Sequence, residues 1–430
     1  MSLFGSSGIR GVVGKDIDPM LAVRIGAAVG TEYQRVVTGK DTRTTGDVLL
    51  SALVSGLTSV GAEVHHAGTV STPTLARASS RFDCGLMVTA SHNPPEYNGV
   101  KMWNPDGSAF SEAQARRIEG LVEDGGYSFS PWRGAGRFHR LSGAEEEHLS
   151  AVLDRVGSAT VKVVVDPGCG AGFRITPLLL RKMGCRVISL NAQADGFFPG
   201  RPPEPSEENL GDLMETVRST GADLGIAHDG DADRVVAIDS AGSYVGGDRL
   251  LALFASLHPE VVTPINASMV LDDMTRVIRT RVGDAFVSQT MREEGVDFGG
   301  EPSGTFIFSR HGYFPDGVHA AALLARMVSE RSLEEMVEGV PSYPMARRSF
   351  PLHPSDRGRV MDMMEEEMGT LECQRLLDLD GYRAEFDEGW LLLRPSGTEP
   401  KLRMTVEARS EGSLSSLIAL GESIARRCLG

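Results

Sequence analysis

Short runs of apolar and β-branched residues recur along the chain, and each ends in an acidic or glycine-bearing turn. Val36-Val37 precedes Gly39-Lys40-Asp41, and Val161 to Val165 precedes Asp166-Pro167-Gly168. Leu224 to Ala227 precedes Asp229-Gly230-Asp231, and Met269-Val270-Leu271 precedes Asp272-Asp273. Apolar runs bounded in this way predict buried strands. Between them lie stretches with helical spacing of apolar positions, at Glu112 to Val122, Leu210 to Ser219 and Gly317 to Glu330. Strand, loop and helix in alternation predict α/β units on parallel or mixed sheets, with ligands at the carboxyl ends of the strands.

Gaps in this pattern mark connections. Residues 125–136 are rich in Gly, Ser and Pro and predict a loop near the end of a first unit. Residues 194–206 (ADGFFPGRPPEPS) lie between strand-like runs and predict an internal loop. Pro341 to Pro354, which also holds Pro344 and Pro351, predicts a linker and a hinge to a last unit. At about 150 residues per domain, 430 residues predict roughly three domains.

Composition narrows the classes. Apolar residues make up 41% of the chain, enough for several cores, and no apolar run reaches the ~18 residues of a membrane span. Lys and Arg total 43 against 58 Asp and Glu, a net charge of −15, which disfavours nucleic acid and anionic membranes as partners. An anionic ligand therefore needs a local basic pocket. The five cysteines, Cys84, Cys169, Cys185, Cys373 and Cys428, form no CxxC pair, and their odd number fits free buried thiols in a reducing cytoplasm. No signal-peptide pattern opens the chain.

Four loops carry candidate chemistry. The first, Thr89-Ala90-Ser91-His92-Asn93-Pro94-Pro95, follows the apolar run Gly85 to Val88 and precedes Asn98-Gly99-Val100-Lys101. A serine hydroxyl needs activation to act as a nucleophile. His92 and Lys101 are the neighbours able to donate to a phosphate, to move a proton or to clamp charge. Taken alone, the segment reads equally well as a stiff turn. The second loop is His228-Asp229-Gly230-Asp231-Ala232-Asp233-Arg234. Carboxylates at alternate positions on a loop converge on a hard cation such as Mg²⁺. An EF-hand is excluded, because its twelfth position, counted from Asp229, is Ser240. A solvated acidic turn is the bland alternative. The third loop, Gly299-Gly300-Glu301-Pro302-Ser303-Gly304, offers a carboxylate and a hydroxyl for sugar hydroxyls, and alone reads as a glycine-rich turn. The fourth, Arg394-Pro395-Ser396-Gly397-Thr398-Glu399-Pro400, lies between two apolar runs and combines hydroxyls, an Arg fork and a glycine amide. That makes a phosphate cradle, or else a plain strand connection. Gly168-Cys169-Gly170-Ala171-Gly172 does not match GxGxxG and reads as a tight turn. His65-His66 shows no ligand cluster around it and reads as structural.

In this order, and with the opening Phe4-Gly5-Ser6-Ser7-Gly8-Ile9-Arg10-Gly11 and Pro205 to Leu210, the loops resemble the α-D-phosphohexomutase family over nearly the whole chain. The resemblance implies three similar α/β domains with mixed sheets plus a smaller C-terminal α+β domain around a central cleft. In this sequence these fall at 1–145 (phosphoserine), 146–243 (metal), 244–345 (sugar) and 346–430 (phosphate). It implies that Ser91 is phosphorylated and binds Mg²⁺ together with Asp229, Asp231 and Asp233. Arg10, His92, Lys101 and Arg234 surround the transferring group. Glu301, Ser303, Gly283 and Asp284 hold the sugar, and Arg394, Ser396, Gly397 and Thr398 hold the other phosphate. The implied enzyme is a cytoplasmic intramolecular phosphotransferase that interconverts hexose 1-phosphate and hexose 6-phosphate. A hexose 1,6-bisphosphate is both intermediate and activator, and the oligomeric state, a homo-oligomer included, stays open. GEPSGT, with Pro302 and Thr305, and Val282-Gly283-Asp284 look most like the archaeal glucosamine-phosphate branch. Phosphomannomutase/phosphoglucomutase activity, a Mg²⁺-dependent sugar phosphatase and a non-catalytic phosphosugar-binding protein are the alternatives.

Overall fold

The computed structural model describes residues 3–5, 8–396 and 399–430. Four sheets follow one another along the chain. The first has six strands in the order Ile9–Val12, Tyr97–Trp103, Cys84–Val88, Arg35–Lys40, Glu63–Thr69 and Phe138–Arg140. Its last four run parallel, and Ile9–Val12 and Tyr97–Trp103 are antiparallel. The two central parallel strands, Arg35–Lys40 and Cys84–Val88, are buried on both faces, with Val36, Val37, Leu86 and Met87 fully enclosed, as helices packed on either side of a parallel sheet require. Helices Pro19–Glu32 and Gly46–Ser59 cross at Gly26 and Gly56, where an added Cβ would stand 2.1 Å from a carbonyl oxygen of the facing helix. Helix Glu112–Asp124 begins on a Ser111/Gln114 capping box and ends on Gly125 in the left-handed conformation.

The second sheet runs Tyr244–Val245, Val236–Ile238, Leu224–Ala227, Lys162–Asp166, Arg186–Ser189, and the third Arg276–Thr280, Glu260–Pro264, Phe298–Glu301, Thr305–Phe308; both are mixed. The second sheet thus includes Tyr244 and Val245, past the expected boundary at residue 243. One continuous core joins these two units, from Val163 and Ile226 through Phe254, Phe298 and Phe306. The fourth sheet is wholly antiparallel, covered by helices Arg357–Gly369 and Glu411–Leu429, and keeps its own core of Leu391, Leu393, Met404, Val406 and Ile424. The expected architecture, three α/β units and a smaller α+β unit, is the one observed.

Two expectations are corrected. Met269-Val270-Leu271 is not a strand: Val270–Met274 is a short helix, and the neighbouring strand is Glu260–Pro264. The run is too short for periodicity to separate a buried strand from a buried helix. Pro341 to Pro354 is not a plain linker, because Met345–Pro351 pairs along its length with Lys401–Ala408 as the edge strand of the fourth sheet. Pro344 precedes that strand and Pro351 ends it, positions where a missing N–H is tolerated.

Candidate active site

Ser91 sits just past the end of strand Cys84–Val88, in a left-handed backbone conformation (φ 52°) that non-glycine residues seldom adopt. Neighbouring groups hold it there. Its N–H donates to Thr89 Oγ1 (2.9 Å), and Thr89 Oγ1 donates to Asp41 Oδ2 (2.7 Å). The buried Arg43 guanidinium donates to the carbonyls of Ser91 (2.8 Å), Asn93 (2.6 Å), Pro94 (2.6 Å) and Tyr97 (2.8 Å), and Asp41 balances its charge at 3.1 Å. The hydroxyl is therefore aimed: Ser91 Oγ donates to Asp229 Oδ2 (2.6 Å) and lies 3.3 Å from His92 Nδ1.

The acidic loop follows strand Leu224–Ala227 and meets the serine loop backbone to backbone. A Cβ on Gly230 would stand 2.4 Å from the Ser91 carbonyl oxygen, so the close approach requires glycine. Behind it, the glycine-rich turn at 168–172 bonds through Ala171 N–H to Gly230 O (2.8 Å), and buried Arg201 ties Asp166 to the His228 carbonyl. Oxygens of Asp229, Asp231 and Asp233 all lie within 4.8 Å of one another. Lys101 Nζ reaches Asp231 (2.7 Å) and Asp233 (2.5 Å), and Thr72 Oγ1 donates to Asp231 (2.6 Å). Asp231 Oδ1 and Asp233 Oδ1 are buried with no hydrogen-bond partner among the described residues. A buried carboxylate oxygen without a donor is costly, and a set of hard oxygen donors fits a dication such as Mg²⁺.

The electrostatics agree with that fit. Burial, then Asp233 and Asp231, pushes the Asp229 carboxyl well above its ordinary range. Burial alone would lower Lys101, but Asp231 and Asp233 hold it above the usual lysine value, so it stays charged. Burial, then Arg234, Arg10 and Lys101, pushes His92 down to about 2, so its imidazole is neutral at pH 7. Arg10 is brought alongside by the pairing of its strand with Tyr97–Trp103, opposite Gly99, and donates to Asn93 Oδ1 (3.3 Å). Arg234 donates to Glu204 Oε2 (3.4 Å), and its backbone bridges to Thr305 beside the third loop.

The fourth loop lines a cleft that Lys101 also lines, and the third loop bonds to Gly283 beside that cleft. Glu301 Oε1 accepts from Gly283 N–H (2.9 Å), Ser303 Oγ donates to Glu301 Oε2 (3.4 Å), and Asp284 opens helix Asp284–Glu294 beside them. Burial, then Asp284, pushes Glu301 up to about 7. Lys101, Asp284, Arg394 and Ser396 all line one cleft of about 1260 Å³. Arg394 donates to Asp380 Oδ2 (3.0 Å), which also accepts from Val282 N–H (3.3 Å). Gly397 and Thr398 lie outside the described residues. Arg357 and Arg403, not singled out from the sequence, line the same wall, and Arg357 donates to the Ser396 carbonyl (3.0 Å). Arg43, Asp41 and Arg201 were also missed. Only their position directly after strand ends or in the long internal loop hinted at them.

Models of the four phosphoglucomutase/phosphomannomutase domains match in order: α/β/α domain I at residues 1–128, domain II at 145–242, domain III at 246–343 and the C-terminal domain at 357–419. The chain belongs to the phosphoglucomutase/phosphomannomutase family. Among its relatives, a protein of Methanocella arvoryzae named "Probable phosphoglucosamine mutase" is 49% identical over all of this chain and 99% of its own. One of the same name from Methanosarcina barkeri is 45% identical over the full length of both. The crystal structure of a phosphoglucomutase/phosphomannomutase family protein from Burkholderia thailandensis superposes with a TM-score of 0.89 at 27% identity, covering 99% of this chain and 97% of that one. Membership in this family makes the chain a phosphohexomutase, an isomerase that works by phosphoryl transfer.

Proposed function

We propose that the chain interconverts glucosamine 1-phosphate and glucosamine 6-phosphate through phosphorylated Ser91 and a 1,6-bisphosphate intermediate. The observation that carries this reading is the buried Ser91 hydroxyl held 2.6 Å from Asp229 of the three-carboxylate loop, whose partner Lys101 lines the same cleft as Arg394 and Ser396. The glucosamine assignment rests on the printed names of the archaeal relatives and on GEPSGT at 300–305.

Phosphoryl transfer requires positioning and charge neutralisation more than covalent activation. The free sugar hydroxyl attacks the phosphorus of phosphoserine. A P–O bond to the sugar forms, the bond to Ser91 Oγ breaks, and the hydroxyl proton passes to a base while Ser91 Oγ recovers one. Neutral His92 can donate a hydrogen bond to the moving group, and charged Lys101, with Arg10 and Arg234, faces its negative charge. Asp229, Asp231 and Asp233, with the Ser91 phosphate, would hold Mg²⁺, which would supply further positive charge there. Glu301, Ser303, Gly283 and Asp284 hold sugar hydroxyls, while Arg394, Ser396, Gly397 and Thr398 hold the phosphate that does not react. After the first transfer the bisphosphate turns over within the cleft, and its other phosphate returns to Ser91. Free bisphosphate primes Ser91. The cytoplasm is the proposed compartment, and among the described residues no helix is long and apolar enough to cross a membrane.

The test is a mutase assay with Mg²⁺ and catalytic hexose 1,6-bisphosphate, comparing glucosamine, glucose and mannose 1-phosphates. Glucosamine 1-phosphate should isomerise fastest, and Ser91→Ala should lose at least ~10³-fold. Faster turnover of mannose or glucose 1-phosphate reassigns the sugar. Full activity of Ser91→Ala, or phosphate release in place of isomerisation, overturns the phosphoserine mechanism.

A further inference from the structure

Three buried histidines with no part in the proposed chemistry surround one carboxylate where the first three units meet. Asp316 lies just before helix Gly317–Val328 and caps it, with Oδ1 accepting from His319 N–H (2.9 Å). Its other oxygen, Oδ2, faces two imidazoles. His148 Nε2, from helix Ala144–Val156 of the second unit, stands 2.8 Å away, and His311 Nε2, from the third, stands 3.0 Å away. His311 Nε2 makes no well-aligned hydrogen bond among the described residues, although the side chain is 2% exposed. A buried imidazole nitrogen left unpaired 3.0 Å from a carboxylate oxygen calls for an explanation.

We propose that His148, His311 and Asp316 form a site for a first-row transition-metal dication of the Zn²⁺ class, distinct from the three-aspartate loop. The three ligand atoms lie within 4.8 Å of one another, all fully buried. Bonds of about 2.0–2.1 Å to such an ion require the Asp316 oxygen, now 2.8 and 3.0 Å from the two nitrogens, to part from each by about half an ångström at most. Two imidazoles and one carboxylate select Zn²⁺, Co²⁺ or Ni²⁺ over Mg²⁺. His148 has the supporting contact that metal-bound histidines show: its Nδ1 lies 2.8 Å from Thr74 Oγ1, itself 2.8 Å from Ser71 Oγ, both in the first unit. An entry route exists, because His311 also lines a crevice of about 1090 Å³, whose walls carry Asp106, Glu146, Glu147 and Asp154 together with Arg77 and Arg155. The ion would link the second unit to the third, with the first as its support.

The test uses the full-length protein in excess Mg²⁺, which occupies the oxygen site, loaded with Co²⁺ or Zn²⁺ and then desalted. Metal content and the visible Co²⁺ spectrum are read for wild type, His311→Gln, His148→Gln and His65→Gln. The last removes a competing, partly exposed trio in which His65 and His139 both face Glu63 Oε1, at 2.9 and 3.3 Å. Wild type and His65→Gln should retain about one Co²⁺ per chain with nitrogen-ligated bands, and either buried-site variant should weaken retention at least ~10-fold. Absence of retained metal in wild type, its loss in His65→Gln alone, or its persistence in both buried-site variants overturns the proposal. Should both variants misfold, X-ray absorption of loaded wild type decides instead: a shell without two imidazoles sinks the site.

Discussion

The two sides of the cleft are built differently. On the side of Ser91, the serine and acidic loops are pressed together backbone to backbone, Arg43 holds four carbonyls, and units two and three share one core. On the side of Arg394, the fourth unit keeps a separate core and docks on the third. Its docking contacts include a small apolar cluster around Trp390 and Met269, the Glu407 carboxylate (accepting from Ser268 Oγ, Met269 N–H and Trp390 Nε1), Arg383 bonding the Ile265 and Ala267 carbonyls, and the Arg409–Asp273 and Arg347–Asp248 pairs. Chemistry that depends on charge placed to a fraction of an ångström gains from the rigid side. Holding either end of a bisphosphate, and releasing it to turn, gains from a wall that can shift.

Changes on the rigid side should cost most. Asp231→Asn removes the charge that Lys101 shares with Asp233 and that Thr72 supports, and kcat/KM should fall by ~10³-fold with loss of the Mg²⁺ response. Chelation of wild type should mimic it and added Mg²⁺ should reverse that loss; an Asp231→Asn enzyme that still answers to Mg²⁺ breaks the comparison. On the other wall, Arg394→Ala should lower kcat/KM by only ~10–100-fold, the worth of one charge-assisted phosphate contact. Phosphorylation of Ser91 by bisphosphate, followed by intact mass, should survive, and its disappearance would place Arg394 in the chemistry. Glu407→Ala leaves two buried donors unpaired, each costing ~1–3 kcal/mol. It should loosen the fourth unit first, seen as faster proteolysis within residues 339–344 before global melting; a single cooperative melt with unchanged cleavage argues for one rigid body. The smallest effect concerns pH. Glu301, pushed up to about 7, loses its proton as pH rises through that value, and the ionised form accepts sugar hydroxyls. So kcat/KM should rise between about pH 6 and about 8, and Glu301→Gln should remove that rise while leaving the substrate phosphate's own ionisation near ~6. An unchanged profile in Glu301→Gln assigns the titration elsewhere.

The main loops were legible because each joins a strand end to residue types with few other uses together, such as Asp229, Asp231 and Asp233. What escaped reading acts through distance in sequence. Arg43 looks like any surface arginine until the chain brings the carbonyls of 91, 93, 94 and 97 around it. Arg357 and Arg403 meet Ser396 only when the fourth sheet forms. His65 seemed solitary because its companion, His139, sits opposite it in register on an adjacent parallel strand. Apolar runs misled where burial outweighs periodicity, as at 269–271. Prolines misled where they bracket an edge strand, as at 344 and 351.

The left-handed backbone at Ser91 carries a last consequence. Any residue with a Cβ pays roughly 1 kcal/mol to stand there, and glycine alone does not. The most comfortable occupant of position 91 is therefore one with no hydroxyl to phosphorylate. Thermal robustness and turnover pull this single position in opposite directions, so a more stable descendant of this protein has to find its gains elsewhere in the chain.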